Sequence, residues 1–96
     1  MVIGILQVEL LIGDARSLKD KRRVIASIKD RLHREHLVAV AEVDRQDAHQ
    51  VAVLGMAAVS NEVPHVQGVL DRIVNQLRTN GRVVVNDHAV EILTGH

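Results

Sequence analysis

The chain has 96 residues, is 47% hydrophobic and carries 12 Lys/Arg against 12 Asp/Glu, so its formal net charge is zero. It contains no Cys, which excludes disulfides, thiolate metal sites and cysteine nucleophiles. It also contains no Phe, Tyr or Trp, which excludes aromatic platforms that stack on single-stranded nucleic acid. A chain of this length is expected to form a single domain over residues 1–96.

The N-terminal segment does not resemble a secretory signal, because it lacks a basic region and meets Glu9 early. No apolar run approaches the ~20 residues that span a bilayer. We therefore expect a soluble, cytoplasmic protein without a membrane partner.

The first predicted element is a strand over residues 2–12, which is rich in β-branched and aliphatic residues. Its alternation places one set of apolar residues on a single face: Val2, Leu6, Val8, Leu10 and Ile12. A turn follows at residues 13–15, and a helix is predicted over residues 17–36. Ser17 precedes Asp20 by three residues, a shortened capping box that predicts where this helix begins.

After His36 the apolar period changes from 3.6 to about 2, which predicts strands over residues 37–44 and 50–60 joined by a polar link at 45–49. Both strands carry apolar side chains on both faces. Because a two-layer domain covers only one face of its sheet, the other face is a candidate surface for self-association, and we expect a homodimer.

A second helix is predicted around Pro64, with apolar residues at 66, 69, 70, 73 and 77 and a stop at Asn80-Gly81. A last strand over residues 82–93 is expected to bend at Asn86-Asp87, and residues 94–96 are expected to be frayed. The order β-α-β-β-α-β predicts an α+β, ferredoxin-like fold. Both helices should cover one face of a four-stranded antiparallel sheet, with the first and third strands in the centre.

The neutral total hides a polarised distribution of charge. Residues 16–34 carry eight Lys/Arg and two Asp, a net of +6, and the remainder carries four Arg and ten Asp/Glu, a net of −6. On the helix over residues 17–36, five cations are predicted to contact RNA phosphate: Lys19, Arg22, Arg23, Lys29 and Arg34. Lys21 lies nearer the apolar side of this helix. We therefore expect it not to contact phosphate but to lie at the N-terminal end of the groove beside the helix.

Three segments resemble the YlxP-like family of small bacterial proteins: VIGILQVELLI, SLKDKRRVIASIKDRL, and VAVAEVDRQDAHQVAVLGMAAVS with its downstream helix and closing VEIL. The resemblance covers nearly the whole chain. The matching motif positions are Ser17, Leu18, Lys19, Lys21, Arg22, Arg23, Glu42, Gln46 and Asp47.

The resemblance implies a ferredoxin-like fold and, because the family's genes often lie beside ribosome-maturation genes, a partner in ribosomal RNA or the small ribosomal subunit. It supplies no catalytic residues. The family is expected to carry a tryptophan near the QD motif, where this chain has His49. We interpret the segment Arg45, Gln46, Asp47 and His49 as a loop stabiliser or contact loop.

Three other groups of residues allow different interpretations. His33 and His36 have a spacing that permits a shared metal, but histidines also suit the negative end of a helix, and no metal or other cofactor is expected. Residues 66–69 superficially resemble the phosphate loop of acylphosphatases but lie inside a predicted helix. Glu42, Asp44 and Asp47 could do acid–base chemistry only if they were buried together.

The preferred hypothesis is a non-enzymatic RNA- or ribosome-associated accessory factor that uses the basic helix face. The alternative is a protein-interaction or structural module that is dimeric through its sheet. A small-ligand or enzymatic role is third.

Overall fold

The computed structural model describes residues 1–95 and contains six elements in the predicted order. They are β1 (Val2–Leu11), α1 (Leu18–His36), β2 (Ala39–Asp44), β3 (Val51–Ser60), α2 (Val63–Arg78) and β4 (Val84–Leu93). The strands form one antiparallel sheet in the order β2-β3-β1-β4. The α+β, ferredoxin-like prediction is confirmed, and β1 and β3 are the central strands.

One face of β1 forms the middle of the core. The five alternating residues predicted for this face are all buried: Val2, Leu6, Val8, Leu10 and Ile12. Gly4 lies in the same row, where a Cβ would collide with a methyl group of Val66 in α2. Glycine therefore lets α2 approach the sheet closely. Apolar residues of both helices join this row in one buried cluster.

Local hydrogen bonds fix both ends of α1. Ser17 is the N-cap, and its Oγ accepts from Asp20 N at 3.1 Å. Asp20 Oδ2 reaches back to Arg16 N at 3.0 Å, one residue before the position used in a regular capping box. Leu37 ends the helix in the left-handed region at φ 56° and donates to His33 O. Because this residue turns the chain, β2 begins two residues later than predicted.

The predicted stop of α2 at Asn80-Gly81 follows directly after the observed C-cap, Thr79. The helix ends at Arg78, and the N–H and hydroxyl of Thr79 satisfy carbonyls of the last turn, including that of Gln76. Asn80 serves both the helix end and the following turn, since its N–H donates to Leu77 O at 3.2 Å and its Oδ1 accepts from Arg82 N at 2.9 Å. The turn delays the start of β4 to Val84.

The bend predicted at Asn86-Asp87 is a β-bulge. Glu9 of β1 pairs with Asp87 while Leu10 pairs with Val85, so Asn86 is the extra residue. Thr94 and Gly95 follow β4 without regular structure, and His96 lies outside the described residues.

The second face of the sheet, which we call the open face, is not covered by either helix. Ile5, Val43 and Val59 are 37%, 48% and 65% exposed there. Val43 packs over Gly55 and forms one wall of a shallow apolar depression with Ile5 and Ala57. Within residues 1–95, neither helix is long and apolar enough to cross a membrane.

Candidate nucleic-acid interface

The exposed side of α1 carries most of the predicted phosphate contacts. Lys19, Arg22 and Arg23 are exposed in the first turns of the helix, and Lys29 is half-buried farther along. Among the ion pairs of residues 1–95, none involves these four side chains. Their charges are therefore available to an external anion, and the positive end of the helix dipole adds to them near Lys19.

Arg34, the fifth predicted contact, is engaged on the helix itself. Its Nε donates to Asp30 Oδ2 at 3.1 Å, one helical turn away. Both side chains are about two-thirds exposed. Exposed pairs at this spacing contribute only ~0.3–0.5 kcal/mol, so a phosphate can compete with Asp30 for this guanidinium. Arg34 is consequently a weaker candidate than the four unpaired cations.

A second pair on α1 joins Arg31 and Glu35. Arg31 Nε donates to Glu35 Oε1 at 2.9 Å. This hydrogen bond is the main reason why the pKa of Glu35 lies below its usual range. Glu35 is therefore an anion at neutral pH and balances the charge of Arg31.

Lys21 is buried, with 1% of its side chain exposed. Its ammonium donates to the carbonyls of Arg45 at 2.9 Å and Val51 at 3.1 Å, with Gln46 O at 3.4 Å. Glu42 Oε2 lies 2.8 Å from Lys21 Nζ, so the two groups form a salt bridge. Within residues 1–95, this oxygen has no hydrogen-bond partner of acceptable geometry. Lys21 therefore fastens the β2–β3 loop to α1 and is not a phosphate contact.

The predicted contact loop lies where Lys21 holds it, beside the N-terminal part of α1. Arg45, Gln46, Asp47 and His49 all expose their side chains, while backbone carbonyls of the first two face the ammonium. Gln50 then ties the loop to the β1–α1 turn through Gly13 O and Ala15 O. The segment is thus a loop that is stabilised through its backbone and whose side chains remain accessible.

Sequence reasoning missed the partnership between Lys21 and Glu42. The signal was present in two periodicities. Lys21 lies on the apolar side of a helix, and Glu42 follows Val40 by two residues and so faces the core from β2. A lysine and a carboxylate that are both directed inward must be paired, because an isolated buried charge is expensive.

Negative charge gathers on the open face. Glu9, Asp44 and Asp87 line a small recess there together with Arg45, and Glu91 lies farther along the same face, opposite Ile5. The helices carry the basic residues on the other side of the sheet. These four carboxylates lie on the opposite side of the sheet from α1, whereas Glu35 lies on α1 itself and Asp14 lies beside Arg23. The open face is therefore acidic, and the exposed side of α1 keeps an excess of positive charge.

The residues of the alternative readings are not brought together into one site. Glu42 faces Lys21 on the core side, Asp44 lines the recess of the open face, and Asp47 lies in the exposed loop. Residues 66–69 lie within α2, as predicted, with Val66 and Val69 buried.

The two histidines of the metal reading have protein partners. His33 Nδ1 donates to Val38 O at 2.8 Å, and His36 Nε2 lies 2.6 Å from Gln76 Oε1. In the described part of the chain, no group of three or more His, Cys, Asp or Glu is placed to hold a metal.

Comparison with known proteins places the chain in a family. A family described as "Protein of unknown function (DUF503)" matches residues 3–90. The uncharacterized protein YlxP of Bacillus subtilis (strain 168) is 36% identical over 73 residues, which are 76% of this chain and 79% of that protein. Among solved structures, the de novo designed protein Foldit4 superposes over 100% of both chains with a TM-score of 0.56 at 13% identity, a likeness of fold alone. The chain belongs to the DUF503 family and is a YlxP-like protein.

Proposed function

We propose that this protein is a non-enzymatic RNA-binding accessory factor of the ribosome, cytoplasmic like that partner, and that the exposed side of α1 is its binding surface. One observation carries the proposal: the open face is acidic, whereas the exposed side of α1 keeps an excess of positive charge. Lys19, Arg22 and Arg23 are exposed and unpaired within residues 1–95, whereas Glu9 and Asp87 lie on the opposite face. This distribution of charge attracts a polyanion to the exposed side of α1 and repels it from the open face.

Contacts between these cations and phosphates would supply most of the affinity. Each phosphate that a Lys or Arg neutralises releases condensed counterions, so the logarithm of the affinity falls with the logarithm of salt concentration by about 0.7–0.9 per contact. Four contacts, from Lys19, Arg22, Arg23 and Lys29, would give a slope of about −3 to −4. This steep slope is the expected signature of binding through α1.

The character of the surface favours recognition of the RNA backbone and shape. The chain has no Phe, Tyr or Trp with which to stack on bases, and the open face of its sheet carries carboxylates that repel RNA. A helix face of cations suits the phosphates that border a groove of A-form RNA. The exposed side chains of Gln46 and His49 extend this surface beside the start of α1, whereas Arg45 lines the recess of the open face.

The test is binding of the purified protein to small-subunit ribosomal RNA and to intact small subunits over a salt series. We expect Arg22→Ala/Arg23→Ala to weaken binding and flatten the salt slope while the fold survives, because both side chains are exposed. The matched control is Arg72→Ala/Arg78→Ala, which removes the same charge from exposed positions of α2. No binding by the unmodified protein at low salt would refute the proposal, as would equal losses in the two double variants.

The open face favours a second candidate function, a protein-interaction module that dimerises. We propose that the open face binds the open face of a second copy of this chain. The exposed apolar residues Ile5 and Val59 of the two copies can pack together about a two-fold axis. An antiparallel arrangement would keep the acidic ends near Glu9 and Asp87 apart. Light scattering at micromolar concentration should then give twice the 10.6 kDa chain mass, and Val59→Asp should give the single mass. A monomeric unmodified protein would exclude the dimer.

A further inference from the structure

A polar groove of about 460 Å³ lies between the two helices, near the end of α2. Its floor is formed by buried aliphatic residues of both helices. The polar groups along its walls come from α1, from the last turn of α2 and from the turn that follows: Ser27, Arg31, Gln76, Thr79, Asn80 and Arg82. Neither helix alone forms this groove, so no single segment of the sequence indicates it.

Two guanidinium groups border the groove from different elements. Arg31 comes from α1, and Arg82 comes from the turn between α2 and β4. None of the described residues that line the groove carries a carboxylate. Its lining is therefore cationic, although Glu35 on the adjacent part of α1 holds Arg31 Nε.

Arg82 also links the groove to the exposed side of α1. It lines a second, smaller cleft together with Arg23, one of the predicted phosphate contacts. Asp14 and Asp20 line this cleft too, and Asp20 Oδ2 is engaged by Arg16 N. Arg82 thus lines both the smaller cleft, which contains Arg23, and the groove, which contains Arg31.

The electrostatics of the groove favour a single anion. The C-terminal end of α2 contributes about half a negative charge, and the Thr79 hydroxyl satisfies one of its carbonyls by donating to Gln76 O. Arg82 contributes a full positive charge, and the Arg31–Glu35 pair leaves the outer N–H groups of Arg31 free to donate. Guanidinium groups bind phosphate oxygens bidentately, and the Ser27 hydroxyl and Asn80 amide add neutral donors.

We propose that this groove receives one backbone phosphate of the bound RNA, held between the guanidinium groups of Arg31 and Arg82. The inference rests on the proposed function and specifies the path of the RNA: from the exposed side of α1, past Arg23, into the space between the helices. It adds Arg82 to the binding surface, although Arg82 lies outside the basic segment 16–34.

The experiment compares Arg82→Gln with Arg78→Gln in the small-subunit RNA binding assay over the same salt series. Arg78 lines a different cleft, on the β4 side of α2, and its loss changes the net charge equally. We expect Arg82→Gln to weaken binding about three- to fivefold and to make the salt slope shallower by about one, with little change for Arg78→Gln. Thermal unfolding confirms that both variants fold.

The outcomes separate this inference from the proposed function. If the protein binds RNA and the Arg22/Arg23 double variant loses binding, but Arg82→Gln behaves like Arg78→Gln, the groove assignment is overturned and the proposed function stands. If the unmodified protein does not bind RNA at low salt, both fail.

Discussion

Replacement of Lys21 by Met should destabilise the protein strongly without removing a phosphate contact. Methionine keeps the length of the buried stem but removes the ammonium that serves the carbonyls of Arg45 and Val51 and faces Glu42. Removing one member of a buried ion pair typically costs about 3–5 kcal/mol. The side chain of Glu42 is 17% exposed and can regain water, so we expect a loss of about 2–4 kcal/mol.

The assay is thermal or urea unfolding followed by far-ultraviolet circular dichroism, because the chain has no aromatic residue for fluorescence. For a domain of this size, 1 kcal/mol corresponds to about 4–8 °C in Tm, so the melting point should fall by roughly 10–30 °C. Lys19→Met is the matched control, since Lys19 is exposed and its replacement should change stability by less than about 0.5 kcal/mol. Equal effects of the two variants would refute the role given to Lys21.

A double-mutant cycle isolates the Lys21–Glu42 contact. Lys21→Met leaves a carboxylate facing an apolar side chain, and adding Glu42→Gln removes that charge. The double variant should therefore lose less stability than the sum of the single variants, by about 0.5–3 kcal/mol. Strict additivity would show that Lys21 acts through the loop carbonyls alone.

The remaining predictions concern Gly4, Leu37 and Glu35. Gly4→Ala should destabilise the fold by about 1–3 kcal/mol in the same unfolding assay, because its Cβ would collide with Val66. Unchanged stability would show that α2 can move away from the sheet without cost. Leu37→Gly should raise stability by about 0.5–1 kcal/mol, since Leu37 is 86% exposed and held at φ 56°, and a loss would contradict the strain argument. Glu35→Gln should strengthen RNA binding by freeing Arg31, whereas Glu91→Gln on the open face should not. Because the pKa of Glu35 is lowered in the folded protein, its pairing with Arg31 stabilises the fold above the usual carboxyl pKa, and this stabilisation is lost as pH falls through the lowered value. A pH titration of this carboxyl by NMR should show the lowered pKa in the unmodified protein and a smaller shift in Arg31→Gln.

The sequence was sufficient for features that depend on local periodicity. The alternation over residues 2–12 identified five buried apolar residues, and Ser17 identified the start of α1. The Asn80-Gly81 pair likewise identified the end of α2, since Asn80 follows the C-cap Thr79 and donates to Leu77 O. The strand 37–44 was predicted to begin too early, since its first residue, Leu37, adopts a left-handed conformation that its residue type disfavours.

The candidate site was only partly predictable, because it depends on contacts between distant segments. Exposure of Lys19 and Arg22 follows from helical spacing, but the pairing of Arg34 with Asp30 needed side-chain positions. The groove could not be found from the sequence, since packing of the helices brings Arg82 beside residues that precede it by some fifty positions. Glu42 likewise became the partner of Lys21 through the pairing of β2 with β3.

The most direct test of the central claim is the salt slope of binding to intact small ribosomal subunits, measured for the unmodified protein and both double variants. If the exposed side of α1 binds phosphate, the slope should be about −3 to −4 and should become shallower by about 1.5–2 in Arg22→Ala/Arg23→Ala. It should stay unchanged in Arg72→Ala/Arg78→Ala. A slope near zero, or one that the Arg22/Arg23 variant leaves unchanged, would contradict the account.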